Sequence, residues 1–127
     1  THPYLVTARN TEAARSGVGN GVVAPELGVV LDPDIERARK VARAAIAPYF
    51  GLPNYTNNWL RSGYTEADLA HDGSDELIDD LAALGDVEAI ARRVKDHLEA
   101  GADHVCLQVL DADADVIATL RALSTVA

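Results

Sequence analysis

The sequence has little of several residue types, and each shortage excludes a class of protein. Its 127 residues include a single cysteine, Cys106, which excludes an internal disulfide. No apolar run reaches the roughly 18–20 residues that a membrane-spanning helix needs. Lysine and arginine number 11 against 20 aspartates and glutamates, and the net charge of −9 opposes binding to nucleic acid or anionic membranes. We therefore expect a soluble, cytoplasmic protein.

Methionine is also absent, even from position 1, and the sequence opens abruptly on THPYLVT. This stretch is typical of the end of a strand followed by a turn, and a chain that starts within such an element is often part of a longer one. The apolar content of 48% is otherwise that of an ordinary globular domain with a buried core. We expect residues 1–127 to form one domain that belongs to something longer.

Predicted strands and helices alternate in the first half of the chain. Thr7 is expected to cap a helix that ends at Gly17. A strand is predicted over Leu27–Leu31, after which Asp32 and Pro33 are typical of a helix start. A long irregular stretch, 52–73, follows and includes a short helix near 57–61.

The alternation continues in the second half. Helices are predicted after Ser74 and after Asp86, the latter with Leu98 on its inward face, and a last helix from Asp113. The expected buried stripe of that last helix is Val116, Ile117 and Leu120. Strands that alternate with helices indicate parallel α/β units joined by crossover helices.

The stretch GADHVCLQVL has two unlike faces. One face is purely apolar and carries Val105, Leu107 and Val109. The other face is mixed and carries His104, Cys106, Gln108 and Leu110. Strands of an open parallel sheet are apolar on both faces. In a (β/α)₈ barrel the outer face meets helices, whereas the inner face fills a lumen that becomes the active site near the mouth. The pattern favours the barrel, with Gln108 near the mouth, where a ligand could use its amide.

A complete barrel needs about 250 residues, so this chain would supply only about half of one. No metal site is predicted. DADAD at 111–115 resembles the start of a calcium loop, but Val116 occupies the position that requires glycine and Ala122 the position that requires glutamate.

Two segments carry a family resemblance, GLPNYTNNWLRSGY at 51–64 and GDVEAIARRVKDHLEAGADHV at 85–105. With HPYLVT at the start, they resemble the C-terminal part of the luciferase-like flavin or deazaflavin oxidoreductases, and more narrowly the coenzyme F420-dependent members. The resemblance covers essentially the whole chain. It implies a partial TIM-type (β/α)₈ barrel, of which residues 1–127 are the C-terminal portion. It also implies a strand near Leu81–Leu84, where the residues alone are typical of a helix.

The resemblance implies an enzyme that transfers a hydride between the deazaflavin and a small organic substrate. F420 is the expected cofactor, and FMN, as in a luciferase-like monooxygenase, is the alternative. His2, Pro3 and Tyr4 would follow a strand end at the mouth and contact the cofactor together with Gln108. The alternative for the first three is a rigid turn fixed by the proline.

Asn57, Asn58 and Trp59 would line the substrate pocket, unless they are a packed tryptophan and two turn-forming asparagines. Catalytic residues cannot be assigned, because the resemblance places them on strands outside this chain, and we expect the chain alone to be inactive. The remaining alternative is a non-catalytic small α/β domain that self-associates. Both hypotheses predict a homo-oligomer or a missing N-terminal half, because half a barrel exposes two sheet edges.

Overall fold

The computed structural model describes residues 1–125, which form a parallel sheet with helices between its strands. The elements are α1 Ala8–Val18, β1 Glu26–Leu31, α2 Ile35–Ile46, α3 Pro53–Arg61, α4 Glu66–Leu69, α5 Asp75–Leu81, β2 Ala82–Gly85, α6 Val87–Glu99, β3 Cys106–Val109 and α7 Val116–Leu123, with 3₁₀ turns at Ala47–Gly51 and Ala70–Asp72. This is the predicted α/β alternation, and β2 confirms the strand that the family resemblance implied. Within the described residues, no helix is long and apolar enough to cross a membrane.

Side-chain caps set the helix starts. Thr7 caps α1, as predicted, and Asp86 caps α6. The starts predicted at Asp32 and Asp113 are wrong by two residues, because Asp34 and Asp115 are the caps. In each Asp-x-Asp pair, the second carboxylate accepts a backbone N–H from the first helical turn.

The strand order is β2-β1-β3, and both pairings are parallel. Parallel strands joined through helices are the building units of a (β/α)₈ barrel, and the sheet fits a part of one. It differs from such a barrel in one respect. Each barrel strand lies beside the next one in the chain, whereas β3 lies beside β1 instead of β2.

Helices cover both faces of this sheet. Val30 of β1 belongs to a core that includes Ala42 of α2, whereas Val29 belongs to a second core with Ile90 of α6 and Leu123 of α7. The strand order explains this arrangement. The connection from β1 to β2 and the connection from β2 to β3 run in opposite directions across the sheet, so crossovers of the same hand place their helices on opposite sides.

The two faces of β3 are divided as the sequence predicts. Val105, Leu107 and Val109 pack into the core beneath α6 and α7. Gln108 lies on the opposite face, as its pairing with Gly28 requires, and is exposed.

Two predicted helix faces are wrong. In α7 the buried residues are Thr119 and Leu123, while 46% of Val116 and 60% of Ile117 are exposed. In α6 the buried residue near the end is His97, and 45% of Leu98 is exposed. Both errors come from ranking apolar side chains above polar ones as core candidates.

Gly73 provides a stability prediction, because its φ of +101° is unfavourable for any residue with a Cβ atom. A Cβ there would lie 2.7 Å from Cζ of Phe50 and 3.2 Å from Cδ1 of Ile78. We expect Gly73→Ala to lower the free energy of unfolding by about 1–3 kcal/mol, measured by urea denaturation. Gly17→Ala is the control: Gly17 lies inside α1 with no atom within 4 Å of an added Cβ, so this variant should gain about 0.5–1 kcal/mol. Equal effects of the two substitutions would contradict this explanation.

Candidate functional site

The first residues of the chain run beside the start of β1. The carbonyl oxygens of Thr1 and Pro3 accept hydrogen bonds from the N–H groups of Ala24 and Glu26, at 2.9 and 2.8 Å. The segment is thus extended and paired, although it is not a regular strand. It ends at Leu5, whose φ of +49° turns the chain toward α1.

This pairing places Tyr4 against the sheet face that carries Gln108. The Tyr4 hydroxyl donates to Oε1 of Gln108 at 3.2 Å and lies 3.0 Å from the hydroxyl of Tyr49. Two residues predicted to act together are therefore in contact, although 104 positions separate them in the chain. This group of side chains, with Tyr55, is called the tyrosine cluster below.

Two members of the tyrosine cluster, Tyr49 and Tyr55, are not predicted from the sequence. Tyr49 lies in the 3₁₀ turn after α2 and Tyr55 in α3, with their ring centroids 4.9 Å apart in an edge-to-face arrangement. The available signal is composition, because three of the four tyrosines of the chain fall between positions 49 and 64.

The tyrosines of the cluster are half-buried, and this affects the titration of Tyr4. Burial raises the pKa of Tyr4 above its usual value, and the hydrogen bond with Tyr49 and the charge of Glu26 add to the effect. Burial also raises the pKa of Glu26, although His2 and Tyr4 partly offset it. Tyr4 consequently stays a neutral phenol at physiological pH, able to donate a proton in a hydrogen bond.

His2 and Pro3 stand at the edge of this cluster. Nδ1 of His2 lies 2.6 Å from the carbonyl oxygen of Ala24, so this nitrogen is the donor and Nε2 is left for another partner. His2 is exposed. Pro3 contributes its backbone carbonyl to the extended pairing with β1, and the chain turns only at Leu5, so both the cofactor contact and the rigid turn stay predictions for Pro3.

The three residues predicted to bind substrate lie inside α3 and not in a loop. Trp59 is 0% exposed, and its Nε1–H donates to the carbonyl oxygen of Leu5 at 3.2 Å. A substrate could touch the indole only by displacing this packing. Asn57 is exposed and Asn58 is half-buried. The structure favours the packed-tryptophan alternative for Trp59, and the substrate-binding role of the two asparagines stays a prediction.

Within the tyrosine cluster, Tyr4 follows Pro3, which pairs with the first residue of β1, whereas Gln108 is the third residue of β3. Gln108 pairs with Gly28, and Glu26 is the first residue of β1. In parallel α/β enzymes, ligands bind at the carboxyl ends of the strands. Tyr4 is therefore not at the carboxyl end of β1, whereas the mouth position of Gln108, next to the last residue of β3, stays a prediction.

A deazaflavin fits this cluster only in part. Neutral hydroxyl and amide groups beside aromatic rings suit the carbonyl and N–H edge of a planar heterocycle, which they can bind by hydrogen bonds and stacking. A phosphate tail needs cationic or backbone N–H donors, and beside Tyr4 stands the carboxylate Glu26. The residues present therefore suit the ring and not the tail.

Comparison with known proteins shows a similarity of fold. No protein-family model and no curated protein matches the sequence. Among solved structures, the chain is similar to an F420-dependent secondary alcohol dehydrogenase in complex with an F420-acetone adduct, with a TM-score of 0.66 and 16% sequence identity. The match covers 99% of this chain and 41% of that enzyme, so the chain has the fold of somewhat less than half of a larger oxidoreductase.

Proposed function

We propose that the chain is part of an F420-dependent oxidoreductase, in which a hydride passes between the deazaflavin and a small organic substrate. The observation that carries the proposal is the fold match to an F420-dependent dehydrogenase over 99% of the chain. The resemblance of segments 51–64 and 85–105 points to the same group of enzymes. F420 supplies the hydride chemistry when it is bound.

The residues of this chain would then hold and shield the cofactor ring. Tyr4 remains neutral and donates a hydrogen bond, and the amide of Gln108 can accept or donate one. The rings of Tyr49 and Tyr55 would exclude water from one side of the heterocycle. Because the chain spans 41% of the dehydrogenase, we expect no turnover by this chain alone.

Cofactor binding tests the proposal. Equilibrium dialysis of the purified chain against F420 should show saturable binding that an equal concentration of FMN does not displace. Gln108→Ala should weaken that binding by about three- to tenfold, which is the effect of losing one or two hydrogen bonds. Asn54→Ala, which alters an exposed amide in α3 with no predicted role in binding, is the matched control and should bind like the parent chain. A folded chain that binds no F420, or binds FMN equally well, would contradict the proposal.

A non-catalytic, self-associating domain is the second candidate, and a specific surface favours it. Within residues 1–125, β2 and β3 each pair with β1 only, so both leave an unpaired edge. Beside the β3 edge, α7 exposes Val116, Ile117 and Leu120. This surface would pair with a second copy of the chain or with the rest of a larger barrel. Half a barrel would also self-associate, so F420 binding distinguishes the candidates. A non-catalytic domain should show a mass that rises with concentration in sedimentation equilibrium and should bind no F420.

A further inference from the structure

A cavity of about 460 Å³ lies between the start of α1, the turn after α3, and helices α5 and α6. Its volume is within the range of small-molecule sites, roughly 300–1,000 Å³. Its lining includes Arg9, Tyr64, Asp68, Glu76, Asp80 and Arg93, and it is called the charged cleft below. The carboxylate of Asp68 accepts hydrogen bonds from the hydroxyl groups of Thr65 and Ser74. None of the residues predicted from the sequence to bind cofactor or substrate lines it.

One wall of the charged cleft carries a cation without a carboxylate partner. Arg9, on the first turn of α1, donates from Nη1 to the backbone carbonyl of Ser62 at 3.0 Å. This bond holds the side chain at the wall but does not neutralise it. In the part of the chain that the structure describes, Arg9 forms no ion pair.

The facing wall carries two carboxylates on α5. Glu76 and Asp80 are four positions apart, so they lie on the same side of the helix. The hydroxyl of Tyr64 donates to Asp80, and the charges of Asp80 and Glu76 help to raise the pKa of Tyr64 after burial and that hydrogen bond. Neither carboxylate forms an ion pair with any residue between 1 and 125.

Arg93 also lines the charged cleft, but its guanidinium contacts Asp96 and a backbone carbonyl instead of Glu76 or the carboxylate of Asp80. Its Nη2 donates to the backbone carbonyl of Asp80 at 2.7 Å, and its Nη1 lies 3.6 Å from Asp96. Its Nε is buried and has no partner among the described residues. The guanidinium thus joins α6 to the end of α5 and keeps positive charge beside the cleft.

We propose that the charged cleft binds a small zwitterion, with its carboxylate against Arg9 and its ammonium group against Glu76 and Asp80. Charges of opposite sign share one cavity without pairing with each other, so a ligand that carries both signs can satisfy both walls. A pure anion would meet the carboxylates of Asp68, Glu76 and Asp80, and a pure cation would meet two guanidinium groups. Amino acids and short peptides with free termini belong to the ligand class. The proposal is independent of F420 binding, because the tyrosine cluster and the charged cleft share no residue.

Titration of the ¹⁵N-labelled chain with glycylglycine, followed by amide chemical shifts, tests this site. We expect saturable shifts at Arg9 and Gly63, with a dissociation constant on the order of millimolar. N-acetylglycylglycine lacks the ammonium group and glycylglycine amide lacks the carboxylate, so each should bind at least about twofold more weakly. Equal shifts with all three compounds would show that the cleft recognises neither charge and would overturn the proposal. The absence of saturable shifts would overturn it as well.

Two variants assign the walls. Arg9→Gln and Glu76→Gln should each weaken glycylglycine binding by about two- to fivefold, as expected for partly exposed charge pairs. Lys40→Gln is the control, because Lys40 is exposed on α2 and does not line the cleft. Arg9→Gln could unfold the chain through loss of the bond to Ser62, and Glu76→Gln then decides the question. Glu76 is exposed, and its carboxylate forms no hydrogen bond within the described chain, so this variant should stay folded. Parent-like affinity in the folded variants would overturn the assignment.

Discussion

Replacement of Trp59 by alanine is expected to lower the free energy of unfolding by about 3–5 kcal/mol. The indole is 0% exposed and lies 4.9 Å from Phe50 between ring centroids. Its N–H satisfies the carbonyl of Leu5, the residue where the first segment turns away from β1. Truncation would therefore open a large void and leave a buried carbonyl without its donor. Urea denaturation followed by far-ultraviolet circular dichroism measures the loss.

Two further variants identify the cause. Trp59→Phe keeps a ring but removes the N–H group, so it should fall between the parent chain and the alanine variant. Leu52→Ala alters a residue next to the same helix that is 45% exposed, and it should cost less than about 1 kcal/mol. A Trp59→Ala loss as small as that of Leu52→Ala would show that the indole is not part of the core, and a substrate-binding role would then become the better explanation.

Local signals predict the elements of this fold well. Thr7, Ser74 and Asp86 each have a side-chain oxygen that can bind a free N–H of the first turn, and each caps the helix that the sequence predicts. Where an Asp-x-Asp pair offers two capping candidates, the pattern does not separate them, and both starts were placed two residues early.

The strand order could not be predicted from such signals. The faces of β3 are the same whether it lies beside β1 or beside β2, because alternation fixes which side chains share a face and not which strand is the neighbour. The apolar residues of α7 show a related limit. Val116 and Ile117 are typical of a buried stripe, yet the docking of the helix buries Thr119 and Leu123 instead.

The candidate site was predicted only in part, for a similar reason. Tyr4 and Gln108 do meet, but the mouth position expected for Tyr4 requires that the first segment ends level with the carboxyl ends of the strands. The backbone hydrogen bonds of the first segment to Ala24 and Glu26 place this segment beside the start of β1, toward the amino end of that strand. Tyr49 and Tyr55 join the cluster through the 3₁₀ turn and α3, and a loop-like stretch of sequence does not specify how such elements return to the sheet.

A steep loss of stability in mild acid is the second large effect that the structure predicts, and His97 is its source. The side chain is 0% exposed, Nδ1 lies 2.9 Å from Oγ1 of Thr11, and Nε2 is buried with no partner among the described residues. Burial, followed by the charge of Arg93, lowers the pKa of His97 to about 4, against a partial opposing effect of Asp96. The imidazole of His97 therefore stays neutral in the folded chain at pH values where it is already protonated in the unfolded chain.

The sign of the effect follows from this difference. Below pH 6.5, the pKa of histidine in the unfolded chain, the unfolded state binds a proton at His97, whereas the folded state binds it only near pH 4. The free energy of unfolding therefore falls between pH 6.5 and 4 by up to about 3 kcal/mol. Urea denaturation at several pH values between 7.5 and 4.5 should show the fall in the parent chain and a flatter profile for His97→Gln, which retains a polar group within reach of Thr11. His104→Gln, at an exposed histidine, should keep the parent profile.

Carboxylates also titrate in acid. Those whose pKa values are lowered in the folded chain, such as Asp32, lose their contribution to stability only nearer their unfolded pKa of 3.8, and they are common to all three proteins. A His97→Gln profile as steep as that of the parent chain would therefore assign the acid sensitivity to some group other than this buried imidazole.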